Sequence, residues 1–313
     1  MRKVSAVLAL SLVSLAANAA YPERPIKMIV PWAAGGDTDN IFRPFAPLLQ
    51  KHLGGQTVVI ANIGGASGTK GAKEAKDSPP DGYTLYAVHD YIHSTYYAGV
   101  ADVQYSDFEP ICLISSTASV LTASPKTPWK NWQEFLADAK TRPGQITVGA
   151  TLASTSHFFP ALIEQAAGIK LKYVSYEGLA PRMNAILGGH IDLTDANLTQ
   201  KGKVEAAQLK FLAIATEKRH PEMPSIPTLK ELGVNVVYDV NRGIVAPKGT
   251  PRDVIAKLGA ACAAAANEPE FAAAMKKQGT DVRYMDRAAY TSWLKKNDEL
   301  NRTLAKDLGL LKR

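Results

Sequence analysis

Cysteine is scarce in this chain: 313 residues hold two, Cys112 and Cys262. One pair is no disulfide framework, and neither residue sits in a recognisable catalytic context. Both lie in apolar surroundings, Pro-Ile-Cys-Leu-Ile and Gly-Ala-Ala-Cys-Ala-Ala, which suit a disulfide and two buried thiols equally well. Long apolar runs are also missing beyond the N-terminus. The Ala-rich stretch from Ala260 to Ala266 is ended by Asn267, Glu268 and Pro269, well short of the roughly 20 residues a bilayer requires. No dense Lys/Arg run occurs. Charges of both signs alternate, as in Lys73–Glu74–Ala75–Lys76–Asp77, so the net charge of +7 implies steering of small anions rather than nucleic-acid binding. Finally, no Gly-Lys-Ser/Thr phosphate loop, Gly-x-Gly-x-x-Gly turn or Gly-x-Ser-x-Gly elbow is present.

What is there begins with Met1–Arg2–Lys3, an apolar run from Val4 to Ala16, and the small residues of Ala17–Asn18–Ala19. This is the pattern of a secretory signal peptide spanning residues 1–19, with cleavage expected after Ala19. A chain exported in this way works in the periplasm, away from ATP and NAD(P) pools, and no cofactor is expected. About 290 residues follow, enough for two core-bearing lobes.

Strand-like runs alternate with helical segments, the pattern of α/β architecture with largely parallel sheets. The strands are expected at Ile26–Val30, Thr57–Ile60, Thr84–Val88, Ile111–Ile114, Ile146–Val148, Ile191–Thr194 and Phe211–Ala215. Helices are expected at Trp132–Lys140, Phe158–Ala167, Pro181–Leu187, Pro251–Asn267 and Arg287–Leu308. Two extended stretches, Ile114–Ser124 and Val236–Pro247, read as crossings between lobes. They place 20–123 and 243–313 in a discontinuous first lobe and 124–242 in an inserted second lobe. Paired crossings make a hinge, and a hinge implies a cleft that closes.

Two loops carry the chemistry. Trp32, Ala34, Gly35, Gly36, Asp37, Thr38 and Asp39 directly follow a strand, where glycines expose bare amides and Thr38 or Asp39 can cap the next helix. Ligands of parallel sheets bind beyond the strands' carboxyl ends, and helix N-termini there favour anions. Thr151–His157 forms the second loop, after the strand near Val148, with hydroxyls from Ser154, Thr155 and Ser156 ahead of His157. Facing each other across a cleft, the two loops suit a small carboxylate. His89–Asp90–Tyr91–Ile92–His93 comes close to the zinc-peptidase spacing, but Asp replaces the glutamate base and no third ligand is evident. A secreted zinc-dependent hydrolase using His89 and His93 is the competing reading, with a ligand-sensing subunit of a signalling system as a third.

Pro80–Asp81–Gly82–Tyr83–Thr84–Leu85, taken with Tyr21–Asp39, Asn62–Gly71, Gly188–Asp192 and Ala246–Pro251, resembles the Bug/TctC family of extracytoplasmic solute-binding proteins of tripartite tricarboxylate transporters. The resemblance runs from Tyr21 to the C-terminus. It implies a two-lobed type II periplasmic-binding-protein fold with a hinge and central cleft, closing on small carboxylates without catalysis. It assigns the two loops to ligand binding by main-chain amides, puts Trp32 on the pocket wall, and adds His89–Tyr91, Asp195 and Asn197 from other loops. The implied partners are a di- or tricarboxylate, aromatic acid or acidic amino acid, and the membrane permease subunits of the transporter. The chain is expected to act as a monomer, since it lacks a repeating apolar seam.

Three features depart from the family. Pro44 and Pro47 interrupt the helix after the first loop, so that helix is expected to start late or bend. Asp37 adds negative charge to a loop meant for anions. It either points outward or answers a cationic or hydrogen-donating ligand group. Asn241–Arg242 replaces an aromatic at the return crossing, where Arg242 can grip a carboxylate in a bidentate manner or stand on the surface.

Overall fold

The computed structural model describes residues 21–313. The expected signal peptide therefore lies outside the described residues. In chain order the elements begin with β1 (Ile26–Val30), α1 (Asp37–His52), β2 (Val58–Asn62), α2 (Thr69–Lys76), β3 (Thr84–His89), α3 (Tyr91–Tyr97) and β4 (Phe108–Ala118). There follow β5 (Val120–Ala123), α4 (Trp132–Thr141), β6 (Thr147–Ala150), α5 (Thr155–Ala167), β7 (Lys172–Ser175), α6 (Leu179–Gly188), β8 (Leu193–Ala196), α7 (Lys201–Glu205) and β9 (Lys210–Ile214). The chain ends with β10 (Asp239–Pro247), α8 (Arg252–Ala266), α9 (Pro269–Lys277), β11 (Asp281–Met285) and α10 (Arg287–Asp307).

These strands form two mixed sheets. A six-stranded sheet runs β11-β4-β10-β3-β1-β2 and a five-stranded sheet runs β7-β6-β8-β5-β9. The β-branched runs Ile26–Val30 and Thr84–His89 sit in the middle of the first sheet and are almost wholly buried, as expected for strands covered by helices on both faces. Its core packs Phe42, Phe45, Leu85, Ile244 and Phe271. The second sheet has a separate core around Trp132, Phe135, Val148, Phe159 and Leu193.

The chain passes from the first sheet to the second at Ser119, between β4 and β5, and returns at Tyr238–Asp239. The two crossings run side by side: Ser119 N–H donates to the Tyr238 carbonyl at 3.1 Å. Both lie a few residues before the positions drawn from sequence, 123/124 and 242/243. The reason is physical. One extended segment serves both sheets, and no proline or glycine marks the change of sheet at Ser119.

The expected late start of α1 is corrected. The helix runs without interruption from Asp37 with Pro44 and Pro47 inside it. Pro44 has no N–H to donate to the Asn40 carbonyl. That carbonyl instead accepts Gln278 Nε2 at 2.9 Å from the end of α9. The cysteines, left undecided by sequence, are joined as Cys112–Cys262, tying β4 to α8 beneath the first sheet. Among the described residues, no helix is long and apolar enough to cross a membrane.

Candidate functional site

A cavity of about 510 Å³, its mouth included, opens between the two sheets. Three helices aim their N-termini at it. From the first lobe comes α1, with Gly36, Asp37 and Thr38; from the second come α5, with Ser154, Thr155 and Ser156, and α6, with Gly178 and Leu179. The first turn of α5 begins earlier than the sequence suggested, at Thr155 rather than Phe158. Gly178, at φ +88°, occupies backbone space that an L side chain rarely tolerates, and so lets the chain turn into α6 beside Trp32. Each N-terminus presents unpaired amides and roughly half a positive charge, contributing about 0.3–1 kcal/mol toward an anion and up to ~2 when partly buried.

Of the residues singled out from sequence, Trp32, Gly36, Asp37, Thr38, His89, Ser154, Thr155, Ser156, Asp195, Asn197 and Arg242 line this cavity. The two loops thus meet in one hollow. Six others do not line it. Ala34 and Gly35 point to solvent. Asp39 is buried beneath the loop as scaffolding: its carboxylate accepts Gly35 N–H at 2.8 Å, Arg43 Nε at 2.7 Å and Asn62 Nδ2 at 2.9 Å. Burial works to raise its pKa, but these donors override it and hold the carboxyl below its ordinary value. The N-cap of α1 is Gly36, so neither Thr38 nor Asp39 fills that position.

Asp90 turns to the opposite side of the hinge. It accepts Asn241 N–H at 2.8 Å and Asn297 Nδ2 at 2.9 Å, and burial pushes its pKa up to about 7. Tyr91 supports the wall from behind, its ring edge-on to Trp32 and its hydroxyl donating to the Gly68 carbonyl at 3.0 Å. His157 accepts Ala153 N–H at 3.1 Å and packs on Tyr173.

His89 is stacked on Trp32 and accepts the Tyr91 N–H at its Nδ1, 3.1 Å away, which leaves the ring proton on Nε2. Burial, then the charges of Arg242 and Arg182, hold its pKa well below the usual value, so the ring is neutral. His93 faces elsewhere, its Nδ1 2.9 Å from Asp298 on α10. The two histidines of the zinc-like spacing therefore sit on different elements, His89 at the end of β3 and His93 in α3, and face different partners. Among the described residues, no group of three or more His, Cys, Asp or Glu side chains is placed to hold a metal.

Arg242 is 3% exposed rather than on the surface. Its guanidinium donates to Thr117 Oγ1 at 2.8 Å and Thr38 Oγ1 at 3.3 Å, and Nη2 lies 3.8 Å from Asp37 Oδ2. Asp37 points inward, where it also takes Asn197 Nδ2 at 2.5 Å from the other lobe. Thr151, at the start of the second loop, also lines the cavity; sequence reasoning missed Thr117, Ser119, Gly178 and, above all, Arg182. Arg182 is 5% exposed, on α6, and its contacts to Thr151 Oγ1 and the Asp195 carbonyl are long, both 3.4 Å. A lone arginine between Leu179–Ala180–Pro181 and Met183 was the available signal, because a charge in an apolar helix is buried only where something pairs with it.

Three polar atoms of cavity-lining residues are buried without a partner: Trp32 Nε1, Arg182 Nε and Asp195 Oδ1. Such atoms cost about 1–3 kcal/mol each unless satisfied. The cavity lining thus offers donors of both main-chain and side-chain origin.

The sequence profile of the tripartite tricarboxylate transporter family receptor matches residues 41–310. The "UPF0065 protein in gbd 5'region" of Cupriavidus necator is 31% identical over 98% of this chain and 95% of its own. Among solved structures, the periplasmic binding protein BugD is 32% identical with a TM-score of 0.88, covering 94% of this chain and 100% of BugD. MatC from Rhodopseudomonas palustris, solved with bound malate, is 26% identical with a TM-score of 0.84, covering 91% and 99%. The two-lobed α/β fold is thus that of periplasmic binding proteins, and the chain belongs to the Bug/TctC family of tripartite tricarboxylate transporter receptors.

Proposed function

We propose that this protein is a periplasmic receptor that captures a small organic carboxylate between its lobes and delivers it to the membrane permease of a tripartite transporter, acting as a monomer. The observation that carries this reading is the convergence of three helix N-termini and two buried arginines, Arg182 and Arg242, on one cavity. Family membership, and a relative whose structure holds malate, support it.

Lobe closure removes the ligand from water, so each hydrogen bond to its carboxylate counts for more. Such charge-assisted bonds contribute about 1.5–3 kcal/mol each, and a micromolar complex needs about 8.2 kcal/mol. Main-chain amides at α1, α5 and α6, with Thr155, Ser156 and an arginine, supply enough after ordering costs. The ligand-binding residues of this reading are Trp32, Gly36, Asp37, Thr38, His89, Ser154, Thr155, Ser156, Arg182, Asp195, Asn197 and Arg242. No reactive constellation is needed, in keeping with a solute-binding family.

Isothermal calorimetry against mono-, di- and tricarboxylates, aromatic acids and amino acids tests the reading. Micromolar or tighter binding of at least one acid is expected. Heat from sugars or metal ions alone would refute it.

A further inference from the structure

The cavity's charge balance carries the proposal further. Arg182 and Arg242 bring two positive charges; Asp37 brings one negative charge, and Asp195, which burial raises to a pKa of about 7, brings a second above that pH. His89 adds none, being held neutral by burial and by the two guanidinium groups. Each arginine has an acidic neighbour: Arg242 Nη2 lies 3.8 Å from Asp37 Oδ2, and Arg182, whose hydrogen bond to Asp195 is to the main-chain carbonyl at 3.4 Å, feels the charge of the Asp195 carboxyl without an ion-pair contact. Where Asp195 is ionised, the side chains therefore cancel. The remaining attraction for an anion comes from the N-termini of α1, α5 and α6, helices of 16, 13 and 10 residues. That field suits one carboxylate.

A second carboxylate would have to lie among the same side chains, where Asp37 and Asp195 repel it. Like charges brought together in a desolvated interface are strongly disfavoured. Asp195 itself is 6% exposed, and its Oδ1 is buried without a donor. An acceptor in that position is satisfied by a hydrogen-bond donor on the ligand, not by another anion. Trp32 Nε1 from the first lobe and Arg182 Nε from the second are the unpartnered buried donors of the same cavity lining, and a carboxylate can accept from them.

We infer that Asp37 and Asp195 set charge specificity, so that the cavity takes an acid with one carboxylate and a hydrogen-bond donor at its other end, and discriminates against dicarboxylates of equal length. This rests on the receptor reading above and names its ligand class. It separates this chain from a relative whose structure holds malate, a dicarboxylate.

The experiment compares matched pairs by calorimetry at pH 8: succinate against succinamate and 4-aminobutyrate, then the same series lengthened by one and two carbons. The half-amide or the amino acid is expected to bind at least tenfold tighter than the dicarboxylate of its series. Asp37→Asn and Asp195→Asn, each checked for a cooperative melt, should narrow or invert that ratio by tenfold or more. A dicarboxylate that binds tighter to the unmodified protein, or a ratio unchanged in both variants, overturns the inference while leaving the receptor reading intact. Silence from every acid tested overturns both.

Discussion

Glu177 accepts the backbone N–H of Ser67 through both carboxylate oxygens, at 3.0 and 3.2 Å, and so joins the two lobes. The hydroxyl of Ser67 reinforces the contact by donating to the Leu152 carbonyl at 3.1 Å. Ser67 is held at φ 56°, a left-handed conformation that a non-glycine residue adopts at some cost.

This contact bridges the lobes without lining the cavity. Glu177→Ala is therefore expected to weaken affinity for whichever acid calorimetry identifies by about 3–30-fold, chiefly through faster dissociation, since a hydrogen bond to a charged group is worth about 1.5–3 kcal/mol before solvent screening. Stopped-flow binding and small-angle scattering of the ligand-free variant measure it. An unchanged dissociation rate and radius of gyration would show that the contact does not hold the lobes together.

Thr155 opens α5 at the cavity wall and is 4% exposed. Thr155→Ala is expected to lower affinity by about 5–30-fold, the loss of one hydroxyl bond to an anion, while the melting temperature shifts by no more than a few degrees. Calorimetry and thermal melts together distinguish a binding role from helix capping.

Asp195 gives a pH test with a defined sign. Burial is the largest influence and pushes its pKa up to about 7, against the opposing pull of Arg182 and Ser119, with Asp37 adding to the rise and Arg242 lowering it. The unfolded chain ionises near 3.9. Between these values the folded protein holds more protons than the unfolded chain. Stability from this group is therefore full below about pH 4 and is lost as pH rises through about 7. Urea unfolding of the parent protein and Asp195→Asn at pH 5 and 8 should show the variant losing less stability over that interval. Equal losses would mean that Asp195 ionises normally.

The Cys112–Cys262 bridge closes a loop of 150 residues, for which chain entropy alone predicts up to about 5 kcal/mol, and native disulfides commonly contribute 2–5. Cys262→Ser, or reduction, is expected to lower the unfolding free energy, read from urea melts, by an amount in that range and to shift the midpoint down accordingly. Acid binding should be unaffected, because neither cysteine lines the cavity. A midpoint unmoved by reductant would argue against the bond.

Much of the site was legible because its parts are local. The Gly35–Gly36 turn after β1 and the Ser154–Ser156 cluster after β6 each announce a helix start beyond a strand, and both reach the cavity through Gly36 and Ser154–Ser156. What could not be read is direction. Asp37 and Asp39 stand two residues apart on the same helical turn, yet one faces the other lobe and the other is enclosed by Arg43, Asn62 and the Gly35 amide. His89 and Asp90 are neighbours, yet they look to opposite sides of the hinge.

The chain's order of apolar runs and glycine turns was enough to specify alternating strands and helices, two cores and loops rich in bare amides, because periodicity and turn chemistry are properties of short segments. Only the folded arrangement decided that Arg182 enters the cavity, that two arginines there are matched by two aspartates, that Gln278 serves the carbonyl Pro44 leaves free, and that the cysteines meet. Each of these joins residues far apart along the chain. Their proximity is set by how sheets and helices pack, which no local pattern encodes.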